Sequence, residues 1–309
     1  MPWTLLRGKE MEVNIIYNVE HEMYLGLPIA TYFYLTGLSA GSFIISTMAY
    51  GFGMVRFKPL GKIGVVMATL LLMAAPVILL LDLEQPLRFW HLILYLRITS
   101  PITWGTFLLS LYPMNCMVYG YFMFKGDLKR TKIFGLLGIP LALMVHGYTG
   151  FILALGKARV LWNTAIIPPI FLVSAMVSGI ALMILVVIVK DFFLQRSKEP
   201  DRLLLYALGK FLVASIVLDL ILIGIDLSVL LTSTTEAYVA AHMLLSGEFS
   251  FLFLGVEVLL GSILPLFLLL FPLTKRWVPA LAIASILVMV GIFAMRCIMV
   301  IGGLSVPLS

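Results

Sequence analysis

Eight long apolar stretches, at 25–54, 61–81, 102–124, 132–156, 164–190, 203–231, 248–271 and 278–301, leave this chain few ways to fold. A helix needs about 20 apolar residues to cross a bilayer. Lipid offers no hydrogen bonds, so the backbone of a spanning segment must satisfy itself, as a helix does. The expected fold is an all-α integral membrane protein with eight transmembrane helices. The composition agrees: 62% of the 309 residues are hydrophobic and 12% are charged, against about 25% charge in a soluble domain. The strict alternation of a membrane β-barrel is missing. No connection is long enough for a separate soluble domain.

Lysine and arginine set the expected orientation, because they collect on the cytoplasmic side. The turns joining helices 1–2, 3–4, 5–6 and 7–8 carry thirteen of the 21. Seven lie toward the other side, and Lys210 falls inside the sixth stretch. Both termini are therefore expected on the extracytoplasmic side of a cell (inner) membrane. The net charge of +6 reflects this bias, and nucleic acid is not an expected partner. Residues 1–23 hold no short apolar core of the kind a cleavable signal peptide carries. The two cysteines, Cys116 and Cys297, give no disulfide framework, zinc site or iron–sulfur pattern.

This topology gathers the unusual side chains on one face. Asn18, His21, Asp82, Arg88, His91, Trp162 and His242 all fall in the outer segments. Of the four histidines, His146 alone lies well inside a span, the fourth. A haem between helices needs two histidines facing each other at one depth, so a haem-free protein is expected, with no metal site. Between helices 4 and 5 the apolar run breaks at 156–164, which carries Lys157, Arg159, Trp162 and Asn163.

Ionisable residues inside a membrane cost about 2.5–3.5 kcal/mol each and mark pathways or pairs. Asp219 and Asp226 lie seven residues apart on the sixth stretch, hence on one helix face. Glu257 lies on the seventh and Arg296 on the eighth. An interhelical ion pair, Asp226 with Arg296 for instance, explains each residue singly. A proton path explains Asp219 and Glu257 better. His146 fits either a relay or a satisfied interhelical hydrogen bond.

Two outer clusters suit a flat ligand with carbonyl groups, such as a quinone. Its slot needs a donor at a carbonyl and a group that passes a proton. Histidine titrates near neutrality and suits that role. Asn18 and His21 are three apart and share a face if that stretch is helical, and Tyr148 can donate from the bundle. Asp82 and Arg88, in the run DLEQPLRFWH at 82–91, can shape a pocket mouth. They can equally anchor the protein at the headgroup level.

The motifs DLEQPLRFWH at 82–91, SPITWGTF at 100–107, HGYTGFILA at 146–154, WNTAIIPPIFLVSAMVSGIAL at 162–182 and RCIMVIGGLSVP at 296–307 resemble the NrfD-like family, the membrane subunits of polysulfide reductase and its relatives. The resemblance covers nearly the whole chain. It implies two four-helix bundles, dividing the sequence into halves 1–156 and 157–309. It implies a haem-free subunit, without an iron–sulfur cluster of its own, that exchanges electrons with menaquinone or ubiquinone. It implies an iron–sulfur subunit docked on the outer face, with a molybdopterin catalytic subunit or a multihaem cytochrome beyond it. It places quinone binding on Asn18, His21 and Tyr148; His21 is then expected to pass the proton, and Asp82, Arg88 and Trp162 to shape the mouth. It leaves His146, Asp219, Asp226 and Glu257 as candidates for a proton pathway. The competing expectation is a proton or solute translocator without redox chemistry, for which the buried acids argue.

Overall fold

The computed structural model describes residues 25–81, 88, 90–194, 201–271 and 277–305. These are all-helical, with no strand among them. Eight helices are long and apolar enough to cross a membrane, so this is a multi-pass membrane protein. The spans are α1 (Leu27–Tyr50), α2 (Lys58–Leu81), α4 (Pro101–Lys125), α5 (Leu128–Ala154), α6 (Ile167–Leu194), α7 (Arg202–Thr232), α9 (Phe251–Leu270) and α10 (Val278–Ser305). Two shorter helices lie between spans: α3 (His91–Leu94) and α8 (Thr235–Leu245).

Local chemistry sets the ends. Proline opens α1, α4 and α10, where its missing N–H would have had no partner. Asp127, Asp201 and Thr234 cap α5, α7 and α8 by accepting from Arg130, Leu204 and Ala237. Gly126 closes α4 in the left-handed conformation, at φ 82°, which glycine adopts without strain.

The connection at 232–247, expected as a loop, holds α8. Its buried residues Ala237, Ala240, Ala241 and Leu244 form one stripe at helical spacing. The helix is only eleven residues long and alanine-rich, so it falls below the length that marks a span.

α1 is the central helix: 72% of its most apolar window is buried in protein, against 28% in α2 and α7. It packs on α2, α5, α6 and α10. Its inner surface is small and polar, including Gly37, Ser39, Gly41, Ser42 and Ser46. In lipid, apolar side chains gain little by leaving the bilayer, so close contact and hydroxyl bonds hold helices together. Gly41 and Gly179 let α1 and α6 touch backbone to backbone, and Gly261 and Gly291 do the same for α9 and α10. Ser39 donates to Ala68 O at 2.8 Å and Ser46 to Gly61 O at 2.6 Å, which ties α1 to α2. Such bonds are worth about 0.6 kcal/mol each on average.

Two spans depart from α-helical winding. Phe251–Ile263 of α9 and Ile298–Gly302 of α10 are π-helical. Wider turns of this kind disturb the backbone ladder and occur often at functional sites. Both lie beside the polar cluster described next.

Candidate functional site

Among the described residues Arg296 is the largest side chain that is wholly buried. It sits nine residues before the end of α10, about 13 Å along the helix from Ser305. His146 is eight residues from the end of α5, and Ser174 is seven from the start of α6. These offsets bring three helices to one depth. One Arg296 terminal nitrogen donates to Ser174 Oγ at 2.6 Å and lies 3.3 Å from Phe171 O and 3.1 Å from His146 Nε2. The guanidinium carbon lies 3.7 Å from the centre of the Phe171 ring, a cation–π contact worth about 2 kcal/mol when desolvated.

His146 is completely buried, with Gly37 of α1 leaving room for its ring. Its Nε2 lies 2.7 Å from Phe171 O. Guanidinium nitrogens only donate, so a bond from Arg296 needs a bare Nε2, whereas a bond to Phe171 O needs a protonated one. The two exclude each other. The tautomer of the ring therefore decides which of the two bonds forms. Its Nδ1 has no hydrogen-bond partner among the described residues.

Two acids share Arg296's field. Asp219 of α7 and Glu257 of α9 are both buried and both interact with its charge. Asp219 Oδ1 and two Arg296 nitrogens, Nε and Nη1, make no hydrogen bond among the described residues. Glu257 sits in the π-helical stretch, where Ser262 donates to its carbonyl at 3.2 Å. The expected Asp226–Arg296 ion pair is not formed. Asp226 accepts from Thr164 at 3.1 Å, while Arg296 is directed at α5 and α6. Asp226 and Glu257 line a common cavity of about 20 Å³, large enough for one water molecule. On its other side, Thr164 lines an open cleft of about 490 Å³ with Lys157, Asn163 and Glu236. Polar groups thus run from the cleft through Thr164 and Asp226 to Glu257, Asp219 and Arg296.

Trp162 is buried, and its indole N–H donates to Met299 O inside the π-helical turn of α10. Its ring packs on Gly303, where any larger residue would collide with it. Arg159 donates to Leu304 O at 2.8 Å. Together these bonds fasten the α5–α6 connection onto the end of α10. The break at 156–164 is thus a clamp between spans far apart in sequence.

Tyr148 lies apart from the charged cluster. It is half-buried at the end of α5, with its hydroxyl against Gly105 of α4 and Tyr32 of α1 nearby. The Tyr148 hydroxyl makes no hydrogen bond among the described residues. Arg88 is exposed. Asn18, His21 and Asp82 lie outside the described residues, and so does the expected grouping of Tyr148 with Asn18 and His21. Trp162 and Tyr148 occupy different surroundings, one clamped on α10 and one facing α4.

The sequence reading missed Ser174, Phe171 and Thr164. A serine or threonine in an apolar helix carries little signal, since either can bond its own backbone. The run WNTAIIPPIFLVSA contains all three, and in hindsight its spacing placed Thr164, Phe171 and Ser174 along one arm. Among the described residues no three His, Cys, Asp or Glu side chains form a group able to hold a metal.

Comparison with known proteins agrees with this architecture. A selenate reductase subunit of Mesobacillus selenatarsenatis is 31% identical, over 91% of this chain and 74% of its own length. The Hdr-like menaquinol oxidoreductase integral membrane subunit of Archaeoglobus fulgidus is 32% identical over 54% of this chain and 42% of its own length. A polysulfide reductase polypeptide of Wolinella succinogenes is 32% identical over 50% of this chain and 55% of its own length. The profile of the family described as "Polysulphide reductase, NrfD" matches residues 17–307, nearly the whole sequence, and the chain belongs to that family.

Proposed function

We propose that this chain is the haem-free, quinone-reactive membrane anchor of a respiratory oxidoreductase. It passes electrons between the quinone pool and a docked iron–sulfur subunit, with a molybdopterin subunit or multihaem cytochrome beyond. The named relatives support it: one is a menaquinol oxidoreductase subunit and two belong to reductases. The spans divide as two four-helix halves, 1–156 and 157–309, with both termini extracytoplasmic. The charge bias of the turns supports that orientation.

The observation that carries the quinone reading is the Tyr148 hydroxyl. It is a half-buried donor without a partner among the described residues, held over a glycine at the mouth of the N-terminal helices. A quinone carbonyl is the acceptor it lacks. Asn18 and His21 precede α1, whose first turns carry Tyr32 beside Tyr148. In this reading Asn18 and Tyr148 hold the ring, and His21 takes or gives the proton. Asp82 and Arg88 shape the mouth, and Trp162 acts through the clamp. Tyr148→Phe keeps the ring and removes the donor. It is expected to weaken quinol binding about tenfold, the worth of one hydrogen bond. The check is the KM for a soluble menaquinol analogue in the assembled complex. An unchanged KM would remove Tyr148 from the site. Absence of saturable binding of a quinone analogue to the purified complex would overturn the function itself.

A second reading rests on the buried acids: proton movement through Thr164, Asp226, Glu257, Asp219 and His146. It stands beside the quinone reading or, without redox chemistry, replaces it as a translocator. The small cavity shared by Asp226 and Glu257 favours it. Glu257→Gln preserves shape and removes the ionisable group. The expected result in proteoliposomes is retained electron transfer with proton release reduced several-fold. Unaltered proton release in this variant would sink the path through Glu257.

A further inference from the structure

A groove of about 630 Å³ lies far from both sites, at the opposite, basic end of the spans. It opens between the start of α7, the end of α9 and the start of α10. Arg202, Tyr206 and Lys210 stand at i, i+4 and i+8 on α7 and line one wall, as helical spacing requires. Leu269 and Leu281 form the floor, and Trp277 stands at the rim. Gly209 keeps the wall shallow, since Leu281 packs 3.4 Å from where a Cβ would be.

Lys210 is the unusual member. It lies about 12 Å along α7 from Arg202, inside the apolar stretch. Its side chain is exposed, and its ammonium lies 4.7 Å from the Tyr206 ring centre, one turn back toward the helix start. That is how a lysine snorkels from lipid toward the interface. No carboxylate among the described residues pairs with it, and no acidic residue among them lines the groove. A cationic mouth, an aromatic rim at headgroup level and an apolar slot define one kind of occupant.

We propose that the groove binds one anionic phospholipid, its phosphate on Lys210 at the level of Arg202 and its acyl chains along Leu269 and Leu281. A zwitterionic lipid brings its own cation and gains less at Lys210. A quinone brings no charge and leaves the ammonium uncompensated. The inference does not rest on the quinone reading.

The test uses the purified protein in nanodiscs of phosphatidylcholine. These carry a trace of either phosphatidylglycerol or phosphatidylcholine with a diazirine in one acyl tail. After irradiation, labelled peptides are mapped by mass spectrometry. The phosphatidylglycerol probe is expected to label the start of α7 and of α10 about fivefold more than the phosphatidylcholine probe, the preference one cation supplies. Lys210→Gln is expected to abolish that difference and Lys210→Arg to keep it. Lys210 is exposed, so neither change disturbs the core. Equal labelling by the two lipids, or a preference that survives Lys210→Gln, overturns the proposal. So does a photoreactive menaquinone analogue that labels the same peptides and displaces phosphatidylglycerol, which would give the groove to quinone.

Discussion

His21→Ala is expected to lower quinone-linked turnover by about 100-fold or more while the complex still assembles. The size of the effect follows from what a positioned acid–base group contributes, about 10²–10⁴-fold. Interconversion of quinol and quinone moves two electrons and two protons. The electrons leave through a partner subunit, but each proton must cross from a ring oxygen to a nearby protein group. In a dry slot that group must titrate near neutrality, and histidine does so. The measurement is oxidation of a menaquinol analogue, set beside dye-linked activity of the partner subunits, which bypasses the quinone. Assembly is checked by native electrophoresis. His21→Gln separates two roles, because it keeps a hydrogen bond and loses the proton transfer. Comparable losses in Ala and Gln variants identify a proton carrier; a mild loss in Gln alone identifies an orienting group. Normal quinone-linked turnover in His21→Ala would remove His21 from the mechanism.

Arg296→Met is expected to destabilise the protein by about 3–5 kcal/mol, the cost of removing one partner from a buried charged cluster. Methionine fills much of the volume, so the loss reports electrostatics and hydrogen bonds rather than a cavity. Without the guanidinium, Ser174 Oγ loses its donor, and Asp219 and Glu257 lose their counter-charge. Against a typical total stability of about 5–15 kcal/mol, a loss of this size lowers both the melting temperature and the yield of folded protein in detergent. Adding Asp219→Asn and Glu257→Gln to Arg296→Met is expected to recover much of the loss, because neutral amides need no counter-charge. A melting temperature unchanged in Arg296→Met would mean that the guanidinium contributes no net stability. Failure of the triple variant to recover would mean that its hydrogen bonds to α6 matter more than the acids.

The eight spans were legible at once, and their bounds agree with the structure to within a few residues at most ends. The buried positions of Asp219, Asp226, Glu257, Arg296 and His146 were legible too, because an ionisable residue far from the ends of an apolar run avoids lipid by facing its neighbours, whereas Lys210, nearer an end, reaches outward. Their pairing was not. Asp226 and Arg296 looked like partners at matching depth, yet depth says nothing of which way each helix is rotated. Rotation turns Arg296 onto Ser174 and Phe171 and leaves Asp226 to Thr164. Trp162 was expected to shape a pocket mouth; the structure adds that its indole N–H donates to a carbonyl 137 residues away. No local pattern announces such a contact. α8 escaped notice because its buried face is built from alanine, which marks a helix weakly in a loop between long apolar runs.

The sequence by itself determined that this protein is a bundle of eight membrane helices with charges inside it. That condition is local: each segment must satisfy its own backbone in lipid, and composition records whether it can. Only the tertiary structure decided what those charges meet. Helices in a membrane choose neighbours by close contact at glycines such as Gly41 and Gly179, and by hydroxyls that reach one particular carbonyl. Those choices fix rotation and register. They bring Arg296, His146 and Ser174 together from three helices and hold Tyr148 over Gly105 with its hydroxyl unbonded within the described residues.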